Sequence, residues 1–148
     1  MKTKSKILVI HGPNLNMLGK REPELYGTLT LAEINENLRQ KGVSSGIDVE
    51  SFQSNHEGEI ISKIQEAVET YQGMIINPAA YGHTSIGIRD ALLMLNMPII
   101  EVHLSNIYRR EPFRHQSMIT DAVTAQLAGF GPMGYEMALS ALAEMIHR

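Results

Sequence analysis

Short apolar runs recur along the chain, and between them the apolar positions fall three and four apart. Ile7-Leu8-Val9-Ile10 and Gly73-Met74-Ile75-Ile76 read as strands buried on both faces, and Pro98-Ile99-Ile100-Glu101-Val102 reads as another. Ile47 to Phe52 is a further strand, and Thr124 to Phe130 a weaker fifth. Thr30-Leu31-Ala32-Glu33 is a capping box that opens a helix with Leu31, Ile34 and Leu38 on one face. Ser54-Asn55-His56-Glu57 caps a second helix, whose apolar face runs Ile60, Ile61, Ile64, Ala67, Val68 and Tyr71. Thr84 or Ser85 starts a third, through Ile86, Ile88, Ala91, Leu92 and Leu95. Gly134 to His147 forms the last, with Met137, Leu139, Leu142, Met145 and Ile146.

Strands alternating with helices predict an α/β fold with a parallel sheet covered on both faces. Five strands suit a flavodoxin-like, three-layer arrangement in a single domain spanning 1–148. In such sheets ligands bind outside the carboxyl ends of the strands. Those ends here are rich in amides, hydroxyls and imidazoles: His11 to Asn16, Gln53 to His56, Asn77 to Ser85, and His103 to Asn106. Any one of these is an ordinary turn composition. Four together, each with a histidine, predict a site.

Composition narrows the chemistry. The chain has 148 residues and no cysteine, which excludes disulfides and thiolate catalysis. A net charge of −3 argues against nucleic acid or an anionic membrane as partner. No apolar stretch reaches the ~18 residues of a membrane span, and no signal-peptide cleavage pattern follows the first strand, so the expected location is cytoplasmic. A GxxxxGK[ST] nucleotide loop is absent. Gly129-Phe130-Gly131-Pro132-Met133-Gly134 matches GxGxxG, but Pro132 interrupts it and too little chain follows for a dinucleotide unit, so it reads as a tight turn.

Three features carry candidate chemistry. Glu101 and His103 share one face of their strand, so the carboxylate can orient the imidazole and favour its protonated form as a general acid. Ile107 to His115 holds three arginines whose planar donor forks suit a small, oxygen-rich anion. Gly19-Lys20-Arg21-Glu22-Pro23-Glu24-Leu25-Tyr26-Gly27 is a charged loop between glycines that ends on a tyrosine, read as a mobile cover delivering Tyr26, with Arg21 near enough to change its acidity. A metal-assisted hydrolase using His11, His83 and His103, or a non-catalytic flavodoxin-like binding module, remains open at this point.

The motifs taken together resemble type II 3-dehydroquinate dehydratase. The likeness rests on Gly12-Pro13-Asn14-Leu15-Asn16-Met17-Leu18-Gly19, Arg21-Glu22-Pro23, Tyr26-Gly27, Gln53 to Gly58, Asn77-Pro78, Tyr81, His83-Thr84-Ser85, Ile88 to Ala91, Glu101 to Asn106, and Phe113-Arg114-His115. The resemblance implies reversible anti elimination of water from 3-dehydroquinate to 3-dehydroshikimate through an enolate, without metal or organic cofactor. It implies a homododecamer built from trimers. It makes Tyr26 the base, with Arg21 and Arg114 favouring its phenolate; a free phenol titrates near ~10. His103, oriented by Glu101, is the acid, and Asn14 stabilises the enolate through a water. Asn77 and the amides of Leu104 and Ser105 hold the carboxylate. His83 and Arg114 hold ring hydroxyls, with Asp90 arriving from a neighbouring subunit. Four positions depart from the family pattern: Gly82 stands where Thr is usual, Pro112 for Glu, Asp121 for Pro and Ala125 for Gly, and the first is expected to loosen its loop.

Overall fold

Alternate residues of each apolar run enter opposite cores, which is why the runs are apolar throughout. Ile7 and Val9 belong to one cluster and Leu8 and Ile10 to the other, all fully enclosed. The structure, a computed structural model, describes residues 4–20, 24 and 28–147. Its strands are β1 (Ser5–His11), β2 (Ile47–Gln53), β3 (Gly73–Asn77), β4 (Ile99–His103) and β5 (Ala125–Ala128). They form one parallel sheet in the order β2-β1-β3-β4-β5. This is the expected flavodoxin-like order, whose direction reverses between β1 and β3.

Helices α1 (Leu31–Ser44) and α4 (Met133–Ile146) cover one face, through Ile34, Leu38, Tyr135, Leu139 and Leu142. Helices α2 (Glu57–Glu66) and α3 (Ile86–Leu92) cover the other, through Ile60, Ile64, Ile88 and Leu92. Each fully enclosed aliphatic side chain contributes about 1.5–3 kcal/mol, so the two clusters dominate the stability of the sheet. Half of the capping box forms: Thr30 Oγ1 accepts from Glu33 N at 3.2 Å, while the Glu33 carboxylate accepts from the Thr30 hydroxyl at 3.1 Å and not from the Thr30 backbone. Ser85 caps α3, accepting from Ile88 N at 2.9 Å.

Four expectations shift. Helix α2 stops at Glu66, so Val68 is exposed and Tyr71 reaches the core from the turn beyond the helix. Its N-cap, His56, makes no side-chain cap; Ser54 Oγ instead accepts from His56 N at 2.9 Å. Ile86, at the first position of α3, is 62% exposed rather than on its buried face. Strand β5 ends earlier than expected because Gly129 turns the chain at φ 94°.

Candidate active site

The ends of β1 and β3 are held together by contacts that demand particular residues. Gly12 N donates to Asn77 O at 2.7 Å, and a Cβ at Gly12 would stand 2.4 Å from Pro78 O, inside backbone contact. Asn14 follows in the left-handed region at φ 70°, which asparagine tolerates, and its N–H donates to Asn55 Oδ1 at 2.9 Å. Ala79 is also left-handed, at φ 51°, and is held there by donating its N–H to Asn77 Oδ1 at 3.1 Å. The segment after β2 therefore buttresses Asn14 without lining the site itself.

An open-mouthed cavity lies at these strand ends. Asn14, Asn77, His83 and His103 line it, joined from beyond β4 by Leu104, Ser105 and Arg114. The carboxyl edge of the sheet is where the fold rule places a ligand. His103 and Glu101 are both buried and on one face of β4, as the alternation of side chains required. Glu101 Oε2 pairs with Nε2 of His103, while Glu101 Oε1 accepts from Thr120 Oγ1 at 2.7 Å. With Nε2–H committed to the carboxylate, the ring nitrogen left for a ligand is Nδ1. His83 stacks near it, ring centroids 6.3 Å apart and planes 23° apart, and donates Nδ1–H to Gln116 O at 2.7 Å.

The glycine turn after β5 has a part in the site that its motif did not reveal. Gly129 N donates to His103 O at 3.2 Å, and Gly131 N donates to Leu104 O at 2.9 Å. In a trans peptide the N–H points opposite to the C=O. Fixing these two carbonyls therefore turns the amides of Leu104 and Ser105, two residues that line the cavity, away from the glycine turn.

Cationic groups close the far side. Arg114 Nε donates to Glu111 Oε1 at 3.0 Å, and its guanidinium lies 5.1 Å from the Phe113 ring centroid. Backbone hydrogen bonding at Glu111, followed by Arg114, holds the Glu111 carboxyl below its usual range. Arg110, not singled out from the sequence, also lines the cavity and approaches Ser105 Oγ at 3.4 Å. The arginine-rich run announced cationic recognition. Which arginines turn inward depends on two short 3-10 turns, Ile107–Arg109 and Pro112–Arg114, that periodicity does not show.

Residues 5–143 match the family described as Dehydroquinase class II. The chain belongs to the class II dehydroquinase family. It is 53% identical to 3-dehydroquinate dehydratase of Aliarcobacter butzleri over 142 residues, covering 96% of this chain and 87% of that protein. It is 56% identical to 3-dehydroquinate dehydratase of Roseiflexus castenholzii over 134 residues, covering 90% and 85%. The type II dehydroquinase of Propionibacterium acnes superposes with a TM-score of 0.93 at 45% identity, covering 97% of this chain and 99% of that one.

In this class II dehydroquinase the four strand-end histidines do not all share the cavity. His56 is exposed at the start of α2, and His11 is completely enclosed between Tyr135 and Asn35. Both ring nitrogens of His11 are engaged, so the three-histidine metal site considered from sequence does not assemble. Gly82 does not loosen its loop. A Cβ there would meet Pro78 Cγ at 2.8 Å, and Gly82 O accepts from Met118 N at 2.8 Å, so the segment is packed at that point. Asp121 pairs with Arg89, and Pro112 opens the 3-10 turn that carries Arg114. Asp90 lines a separate surface cleft with Ile86, Arg89 and Asp121, not the cavity of its own chain. Arg21 and Tyr26 lie outside the described residues. Among the described residues no helix is long and apolar enough to cross a membrane.

Proposed function

We propose that the chain dehydrates 3-dehydroquinate to 3-dehydroshikimate by acid–base catalysis on unmodified side chains. The carrying observation is the Thr120–Glu101–His103 line, ending on an imidazole in a cavity otherwise furnished with amides and guanidinium groups. That set suits a small carboxylated polyol better than a nucleotide or a flavin ring.

In this reading Tyr26, as phenolate, takes the proton alpha to the ketone, and the C–H electrons move into an enolate. Asn14 stabilises the enolate oxygen through a hydrogen-bonded water. His103 then delivers the Nδ1 proton to the departing hydroxyl; the C–O bond breaks, the enolate collapses to the conjugated ketone, and water leaves. Glu101 holds the ring by Nε2–H throughout, so the acid keeps its aim. Asn77 with the amides of Leu104 and Ser105 receives the carboxylate, and His83 and Arg114 receive ring hydroxyls. Arg21 supports the phenolate, and the guanidinium groups of Arg110 and Arg114 add positive charge to the same space. Gly19, at φ 86°, would bring a Cβ within 3.1 Å of Thr28 O, so the two ends of the charged loop meet next to Leu18, itself a cavity residue. That closeness supports delivery of Tyr26 from the loop.

The same reading includes a homo-oligomer, a dodecamer built from trimers, in which Asp90 serves a neighbour's cavity. The position of Asp90 in an outward cleft beside the exposed Ile86 supports this. Ultraviolet absorbance after addition of 3-dehydroquinate tests the activity, because the product is a conjugated enone carboxylate. A rise indifferent to a chelator is expected. A rise abolished by the chelator would move the chemistry to a metal, and no rise from folded protein would remove the proposal.

A further inference from the structure

Behind Asn77, on the side away from the cavity, lies a closed polar chain that the reaction steps do not use. His11 and Asn77 are paired across β1 and β3, so both side chains leave the same face of the sheet, toward α1 and α4. His11 Nε2 lies 2.8 Å from Asn35 Oδ1, and His11 Nδ1 lies 2.9 Å from Tyr135 Oη. Asn77 Nδ2 donates to the same Tyr135 Oη at 3.0 Å. His11 and Tyr135 are completely enclosed, and Asn77 is 3% exposed.

The direction of every proton in this chain follows from its first member. An amide oxygen cannot donate, so Nε2 of His11 carries the hydrogen and Nδ1 is the acceptor. Tyr135 must then donate its O–H to Nδ1, which leaves its oxygen as acceptor toward Asn77 and requires Nδ2 there. At the other end of the amide, Asn77 Oδ1 accepts from Ala79 N. Turning the amide over would set its oxygen against a lone pair of Tyr135 and its nitrogen against the N–H of Ala79. Burial keeps His11 neutral by lowering its pKa from 6.5 to about 4, and burial raises that of Tyr135, so neither group readily changes its proton count near neutral pH. Were His11 to carry its proton on Nδ1 instead, Tyr135 would donate to Asn77, and the amide would be driven to present oxygen where it now presents nitrogen.

We propose that His11 and Tyr135 are positioning residues that lock the Asn77 amide with an N–H toward the cavity, making that spot a donor to an anion. The inference rests on the reading of Asn77 as a carboxylate ligand. A buried imidazole on the back of the sheet thereby sets the polarity of a group that touches substrate.

The test is steady-state kinetics with 3-dehydroquinate on Tyr135→Phe, His11→Phe and His11→Asn. Tyr135→Phe and His11→Phe are expected to raise KM about tenfold with kcat changed by less than about threefold, the scale of one misoriented buried hydrogen-bonding group. His11→Asn keeps an acceptor near Tyr135 and is expected to recover most of the lost KM. A KM within about twofold of the parent in both phenylalanine variants, with only the melting temperature lowered, would overturn the positioning role. For variants that fail to fold, isotope-labelled histidine in the parent protein reads the tautomer directly by nuclear magnetic resonance. An Nε2–H signal for the buried neutral ring is expected, and an Nδ1–H signal overturns the proposal. A parent that leaves 3-dehydroquinate unchanged would overturn the assigned reaction and this inference together, whereas an active parent with unmoved KM in the variants overturns this inference alone.

Discussion

Glu101 holds His103 from two residues away on the same strand face, and Thr120 Oγ1 holds Glu101 in turn at 2.7 Å. The carboxylate is 1% exposed, so its negative charge is spent on these two partners and on no solvent. A charge-assisted bond of this kind fixes orientation more firmly than a neutral one. Glu101→Gln keeps the shape and an acceptor for Nε2–H but removes the charge. We expect kcat to fall by about tenfold or more with KM nearly unchanged, since general acid catalysis as a whole contributes roughly 10²–10⁴. Equal kcat in the variant and the parent would reduce Glu101 to a packing group.

Tyr26→Phe is expected to lower kcat by at least roughly 10²-fold, the lower end for loss of a general base, while calorimetric titration still detects ligand binding. Arg21→Ala tests the acidity of the same phenol. Removing a nearby cation makes the phenolate harder to form, so the rising limb of the pH–rate profile is expected to move to higher pH. A profile that keeps its limb while losing amplitude would leave Arg21 with the placement of the loop alone.

The parity of the strands explains which parts of the site were legible. Continuous apolar runs flanked by helical spacing gave the sheet and its carboxyl edge, and the alternation rule correctly joined Glu101 to His103. Applied to β1, the same rule separates them from His11. Register pairs His11 with Asn77 and Ile76 with Glu101, and Ile76 and Asn77 point to opposite faces. Nearness to strand ends groups the histidines without regard to that parity, and so suggests a three-histidine site that the register does not allow. Tyr135 gave no signal because an aromatic on the inner face of α4 reads as core; its hydroxyl matters only through partners 58 and 124 residues away. Arg110 was hidden for a different reason, since short 3-10 turns decide its direction and leave no periodic trace.

Burial of His11 also predicts an acid limit to stability. The folded state holds this group at about 4 against an ordinary 6.5, so the unfolded chain binds the extra proton first as pH falls. The contribution is therefore intact above pH 6.5 and lost as pH drops toward 4. A depression of this size corresponds to about 3 kcal/mol at full loss. Chemical denaturation at a series of pH values is expected to show that decline in the parent and a flatter curve in His11→Asn. Parallel curves for the two proteins would show that another group carries the acid sensitivity.

Mixed oligomers test whether Asp90 works across a subunit boundary. Asp90→Ala alone is expected to raise KM, because Asp90 lies in an outward cleft and, in the proposed assembly, completes a neighbour's cavity. His103→Ala alone is expected to abolish turnover through loss of the acid. When the two variants are unfolded together and reassembled, some cavities pair an intact His103 with an intact Asp90 from the next subunit. Random assembly would make about one site in four complete in this way. Activity at low substrate concentration is therefore expected to exceed that of either variant refolded separately and averaged. If Asp90 serves its own chain, every site in the mixture carries one defect or the other, and the rate stays at the average.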